Sequence, residues 1–280
     1  MKRRPVVAGQ FYRGTRLRLE AEVAGYTRSD AERVRAVGVV SPHAGLMYSG
    51  AVAGEVFSRI EIPETFVLIG PNHTGLGAPL ALMSFGSWEI PTGTLKIDPR
   101  LSEKLLEYVD PLQEDEQAHL LEHSLEVQTP FIVHFSGETR IVPIVMADTS
   151  LETCRSLGEG LAKAISQVDY PVTIVASSDM SHQVPDAEAR RLDRLAINEV
   201  LDINPEGLHR VVRENGITMC GYAPVTAMLY GVKALGATDA ELLDYRTSGE
   251  VSGDMSRVVG YAGIVIKAES RSFERLMVKG

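Results

Sequence analysis

The chain has 280 residues, 44% of them hydrophobic and 23% charged, which is the composition of a globular protein and excludes disordered and fibrous classes. Its 28 basic and 37 acidic residues leave a formal net charge of −9, so binding to phosphate backbones or anionic lipid is disfavoured and neither nucleic acid nor membrane is expected as a partner. Two cysteines, Cys154 and Cys220, make no disulfide framework, and no apolar run approaches the roughly 20 residues of a membrane span, so a soluble protein of a reducing, cytoplasmic compartment is expected.

The basic opening Met1-Lys2-Arg3-Arg4 runs into Pro5 and Gly9 with too few apolar residues for a secretion signal. A β-branched run predicts a strand over 35–40 and an apolar pattern a helix over 49–60. Strands at 65–69 and 81–85 follow, then a segment, 89–98, in which Pro91 and Gly93 mark a turn between short strands. Asp98 before Pro99 reads as an N-cap with proline in the first helical position, opening a helix over 99–109. A helix over 124–134, a strand over 140–146, a helix over 151–168 and a strand over 172–176 come next. Asp186 is placed to cap a helix over 187–201, and Asn204-Pro205 repeats the capping arrangement before 205–214. After a helix over 224–235, strands at 241–245 and 258–266 are joined by the turn-rich 247–256 stretch, which favours an antiparallel pair. No repeat or linker divides the sequence. The alternation predicts one α/β domain over 1–280, a three-layer α/β/α fold with a mostly parallel or mixed central sheet.

Ligands of open α/β sheets bind beyond the carboxyl ends of the strands. Three strands end in loops that deliver a histidine: Ser41-Pro42-His43-Ala44-Gly45, Gly70-Pro71-Asn72-His73-Thr74-Gly75 and Ser177-Ser178-Asp179-Met180-Ser181-His182. One Gly/Pro-flanked histidine is readily explained as a polar turn residue; three of the chain's seven at equivalent positions point to a site. Two imidazoles hold a metal weakly, so a third ligand is needed, and Cys220, just before a helical pattern, is the candidate thiolate. Cys154, inside a helical pattern, reads as a core residue. Asp179 lies three residues before His182 and suits a carboxylate that orients an acid/base imidazole, though it equally suits a loop cap. His119-Leu120-Leu121-Glu122-His123 also matches the inverted zinc-protease pattern, which would put both histidines on one helical face, so a zinc hydrolase stands as an alternative.

The segments Ser41 to Gly45, Gly70 to His73, Glu122 to Gln128, Ser177 to His182 and Cys220 to Pro224, with the opening Pro5 to Tyr12, resemble the Memo family in order over nearly the whole chain. That family is similar to the catalytic subunits of class III extradiol dioxygenases, non-haem iron enzymes of α/β architecture. The resemblance implies metal ligation by His43 and His73, an acid/base role for His182, and Cys220 where the dioxygenases carry a carboxylate ligand. A thiolate there shifts metal preference toward zinc, copper or a thiolate-bound iron. Glu122 and His123 fall in the family pattern and His119 outside it, so the first two are expected to line the pocket or orient a ligand. Tyr48 and Tyr222, close in sequence to proposed ligands, are further pocket candidates. The implied function is that of an iron-, copper- or zinc-binding, dioxygenase-like oxidoreductase for a small aromatic substrate. The alternative is a module that captures a small ligand or a peptide in the same cleft, since animal members are described as binding phosphotyrosine peptides. Prokaryotic members are linked with a radical-SAM protein, the partner the resemblance implies.

Overall fold

In the computed structural model, which describes residues 1–268, a short strand β1 (Lys2–Arg3) and a helix α1 (Arg16–Tyr26) precede the first central strand, β2 (Ala36–Ser41). Helix α2 (Leu46–Ser58) leads to β3 (Thr65–Pro71), β4 (Leu80–Leu82) and a hairpin of β5 (Ser87–Ile90) and β6 (Gly93–Lys96). Then come α3 (Pro99–Tyr108), β7 (Gln113–Glu114), the single turn α4 (Gln117–Leu120), a 3-10 turn (Glu126–Gln128) and α5 (Thr129–Phe135). Strand β8 (Arg140–Met146), helix α6 (Leu151–Ile165), strand β9 (Val172–Ser177) and the short β10 (His182–Val184) are followed by α7 (Asp186–Leu201), α8 (Pro205–Glu214) and α9 (Tyr222–Ala234). Strand β11 (Ala237–Thr247), the turn α10 (Gly249–Ser252) and β12 (Val258–Ala268) complete the described chain.

Strands β2, β9, β3 and β8 lie side by side and parallel. At one side β4 joins β8 antiparallel and β7 pairs with β4; at the other, β12 runs antiparallel to β2 and β11 antiparallel to β12. The sheet is therefore mixed, with a parallel centre, and the antiparallel closing pair is the one expected. Every residue of β2, β3 and β9 is buried, as strands covered on both faces must be. Val39, Phe66, Leu68 and Val175 face one core, shared with Leu19 of α1, Phe57 of α2 and Phe131 of α5. Val40, Val67, Ile69 and Ile174 face the other, shared with Leu101 of α3, Leu161 of α6, Ile197 of α7 and Val225 of α9. These two cores make the three layers, and each side chain fully buried in them stabilises the fold by about 1.5–3 kcal/mol. On the second face α6 and α9 meet closely because Gly158 has no side chain: a Cβ there would lie 2.4 Å from the Ala227 carbonyl oxygen.

The local signals behave as their chemistry requires. Asp98 accepts from the backbone N–H groups of Arg100 and Leu101, and Asn204 from that of Gly207. Asp186 does not cap α7; it is the helix's first residue, and its carboxylate instead accepts from Arg190 and the Thr247 hydroxyl. The helix expected over 124–134 is broken into a 3-10 turn and α5, with Pro130 at the new start. Helix α1 escapes prediction because only Leu19 and Val23 of its 11 residues are buried, too few for an apolar stripe. Among the described residues no helix is long and apolar enough to cross a membrane.

Candidate metal centre

The abrupt ends of β2 and β3 at Pro42 and Pro71 set His43 and His73 above the carboxyl edge of the sheet. His123 reaches the same place from the stretch between α4 and the 3-10 turn. Ring centroids are 5.3 Å apart for His43 and His73, 5.5 Å for His43 and His123, and 4.7 Å for His73 and His123. One ring nitrogen from each lies within 4.8 Å of the other two, close enough to hold one ion. The Cys220 sulfur adjoins the group, 3.3 Å from His43 Nε2. Two donors of one tetrahedral ion stand about 3.5 Å apart, so the thiol is within reach of an ion held by His43. The set that closes on itself is thus three imidazoles with Cys220 at its edge, so His123 joins the candidate ligands that the sequence pattern named, His43, His73 and Cys220.

Hydrogen bonds fix the state of two of these rings. The Ser177 hydroxyl donates to the Ser124 carbonyl at 2.7 Å and accepts from Gln128 Nε2 at 2.8 Å. Its single proton being used, it accepts from His43 Nδ1–H at 2.9 Å, which makes Nε2 of His43 the lone-pair nitrogen, facing the Cys220 sulfur. Gln128 Nε2 also donates to the Pro42 carbonyl at 2.9 Å, so its amide cannot be turned round. The Glu122 carboxylate accepts from His73 Nδ1–H at 2.9 Å and from the His73 backbone N–H, which leaves the ring's lone pair on Nε2. A carboxylate or hydroxyl behind each imidazole is the usual support of a metal ligand.

Electrostatics favours neutral rings at His43 and His123. Burial, followed by the like charges of His73 and His123, holds His43 well below the ordinary imidazole range, and burial likewise lowers His123. Burial opposes ionisation of Glu122, yet the bonds from His73 and the Ser124 N–H outweigh it and hold its carboxyl down to about 2. The expected low pKa of Cys220 is not found. Helix α9 begins two residues later, at Tyr222, and burial and the Asp179 charge push the thiol up. A cation among the imidazoles reverses that balance, because thiolate is the form that binds metal. The donor set, three imidazoles and a thiol, fits zinc, copper or iron and is a poor match for magnesium or calcium.

The remaining candidates are placed as follows. The Asp179 carboxylate accepts from the backbone N–H groups of His43 at 2.7 Å and Ala44 at 3.3 Å, and burial raises its pKa. The ring of half-buried His182 is instead oriented by Thr218, whose carbonyl accepts from Nδ1–H at 2.8 Å; the expected Asp179–His182 hydrogen bond is thus replaced by a brace on the His43 loop. Tyr48 lies half-buried in the first turn of α2, and Tyr222 packs against His209 with centroids 5.6 Å apart. The zinc-protease pattern fails on geometry. Helix α4 stops at Leu120, so His119 and His123 share no helical face, and His119 is buried against Trp88. Ser177 and Gln128 were not singled out in the sequence, although both stand inside the matching segments; buried polar residues at a strand end were the available signal.

With this geometry in hand, comparison with known proteins is informative. The chain matches the family of Memo-like proteins over residues 3–265. It is 42% identical over 274 residues to a MEMO1 family protein of Methanothermobacter thermautotrophicus, covering 94% of this chain and 99% of the other. A MEMO1 family protein of Aquifex aeolicus is 42% identical over 269 residues, covering 94% and 98%. Among solved structures, an uncharacterized protein from Escherichia coli K12 superposes with a TM-score of 0.59 at 12% identity, covering 82% of this chain and 100% of that one, a likeness of fold alone. By the extent of these matches, the chain belongs to the Memo-like protein family.

Proposed function

We propose that the chain is a metal-dependent oxidoreductase whose ion, iron in the first instance and copper or zinc as alternatives, is held by His43, His73 and His123 with Cys220 as a fourth donor. The observation that carries this reading is the pair of fixed tautomers beside a third imidazole: Ser177 and Glu122 occupy the Nδ1–H groups of His43 and His73, which makes both Nε2 atoms acceptors, that of His43 facing the Cys220 sulfur that would share the ion. A bound redox ion supplies Lewis acidity and electron transfer with dioxygen. The protein's residues do the rest. His182, its Nδ1–H tied to Thr218, offers Nε2 as the base that takes a proton from a substrate hydroxyl and returns it. The Phe11 ring, 4.8 Å from that of His123, gives the site an apolar wall suited to a small aromatic body and keeps water from that side. Asp179 holds the His43 peptide, so the ligand stays in place while protons move.

The test is anaerobic reconstitution with Fe(II) followed by oxygen uptake on a panel of catechols and related small aromatics. Uptake that falls by about 100-fold or more in His182→Ala, within the usual contribution of an acid/base group, is the expected result. Uptake no greater than in that variant contradicts the catalytic reading. Metal binding and ligand capture without turnover would then favour the binding-module alternative.

A further inference from the structure

Residues 3–12 are stitched to the stretch that carries Glu122 and His123. Arg3 is 2% exposed and its guanidinium lies 4.1 Å from the centre of the Trp88 ring. Nε donates to the His119 carbonyl at 2.6 Å, Nη2 to the Glu122 carbonyl at 2.6 Å, and Nη1 to the Glu126 carboxylate at 2.7 Å. Glu126 in turn accepts from the backbone N–H groups of Val6 at 2.9 Å and Val7 at 3.0 Å and from the Tyr12 hydroxyl at 2.6 Å. Between these anchors Phe11 rests on the His123 ring, and its carbonyl accepts from the Leu46 N–H, at 2.7 Å, where α2 leaves the His43 loop.

The stretch held in this way has no regular ladder of its own. Helix α4 ends at Leu120 and the 3-10 turn begins at Glu126; the His123 backbone is met locally, by the Glu122 carboxylate and the Val127 N–H, but the Glu122 carbonyl finds its partner in Arg3. A buried ion pair adds little net stability relative to apolar packing, but a planar guanidinium bonded to two carbonyls and a carboxylate is strongly directional. We propose that residues 3–12 form a positioning strap for the metal centre, with Arg3 setting Glu122, and through it His73, while Phe11 sets His123. This rests on the metal-binding reading above. Arg3 is accordingly a positioning residue; it touches none of the reacting groups.

The experiment is titration of the full chain, purified without a histidine tag, with Co(II) alone. Wild type is compared with Arg3→Lys, which keeps the charge beside Glu126 and loses the fork, and with Asp98→Asn. Asp98 is a control for stability: it is equally buried but holds Thr65, Tyr170 and the start of α3. The strap predicts a loss of about ten- to a hundredfold in Co(II) affinity for Arg3→Lys, the range for partners behind metal ligands. Asp98→Asn should bind as wild type does even where it lowers Tm at least as much. Wild-type affinity in Arg3→Lys, or a matching loss in Asp98→Asn, would overturn the proposal. Should Arg3→Lys not fold, Phe11→Ala, at a half-buried position, carries the same expectation, and wild-type affinity there overturns it. Failure of wild type itself to bind Co(II) would overturn the metal reading and the strap together, an outcome distinct from equal binding by both.

Discussion

His119 is a histidine with no chemistry assigned to it, and that makes it a clean probe of what burial does to an imidazole. Neither ring nitrogen makes a hydrogen bond of good geometry, and burial, followed by the Arg3 charge, outweighs the Ala81 backbone and lowers its pKa to about 4. In the unfolded chain an imidazole titrates near 6.5, so between these values the unfolded state binds more protons than the folded one. The stability tied to His119 is therefore complete above about pH 6.5 and is lost as pH falls toward 4, a difference of about 3 kcal/mol. His119→Leu should be as stable as wild type or more so at pH 7, because it removes unsatisfied polar atoms. Urea midpoints measured from pH 7 to 4 should show wild type losing stability that His119→Leu retains; parallel curves would contradict this. The residue scale also marks where the sequence stops being legible. His43 and His73 were readable as metal candidates because a β-branched run ends at a proline just before each. Of the partners that fix their tautomers, Glu122 was expected in that role from the family pattern, whereas Ser177 was not, since Ser177 and Ser41 look alike in sequence and only the packing sends one of them to an imidazole. Arg3 and Glu126, 123 residues apart, leave no local pattern at all.

At the scale of elements, the centre depends on where β9 stops and α9 starts. Gly221, the residue before α9, lies against the end of β9: a Cβ there would sit 2.4 Å from the Ser177 carbonyl oxygen and 2.5 Å from Ser178 Cβ. Backbone cannot yield cheaply, so Gly221→Ala should cost about 1–3 kcal/mol through overpacking and move Cys220 away from His43. The checks are the urea midpoint and the thiolate-to-metal absorption of the Co(II) protein, which should weaken in the variant; an unchanged band would show that the sulfur does not depend on this contact. Strands β2, β3, β8 and β9 and most helices were legible because their apolar runs are long and their caps explicit, as at Asp98 and Asn204. The stretch from Leu121 to Leu125 was not. It has neither a strand nor a helix period and its course is set by Arg3 and the Glu122 carboxylate, so although the resemblance implied that His123 lines the pocket, its grouping with the His43 and His73 rings could be seen only in three dimensions.

For the molecule as a whole, the three-layer architecture followed from alternation and burial, as did the turn between the short strands β5 and β6, while the addition of β1 to them did not, because β1 is two residues long. That sheet matters beyond its size, since Arg3 lies in it and Trp88 of β5 supports the guanidinium. The fold thus brings donors from four separated segments to one edge of the sheet, within reach of one another. The most direct test of that claim is elemental analysis of the tag-free protein, wild type beside His43→Ala. One redox-active ion per chain, iron foremost, retained by wild type and lost from the variant, is the expected result. Wild-type protein that takes up no ion even when reconstituted, or an ion retained undiminished by His43→Ala, would contradict it.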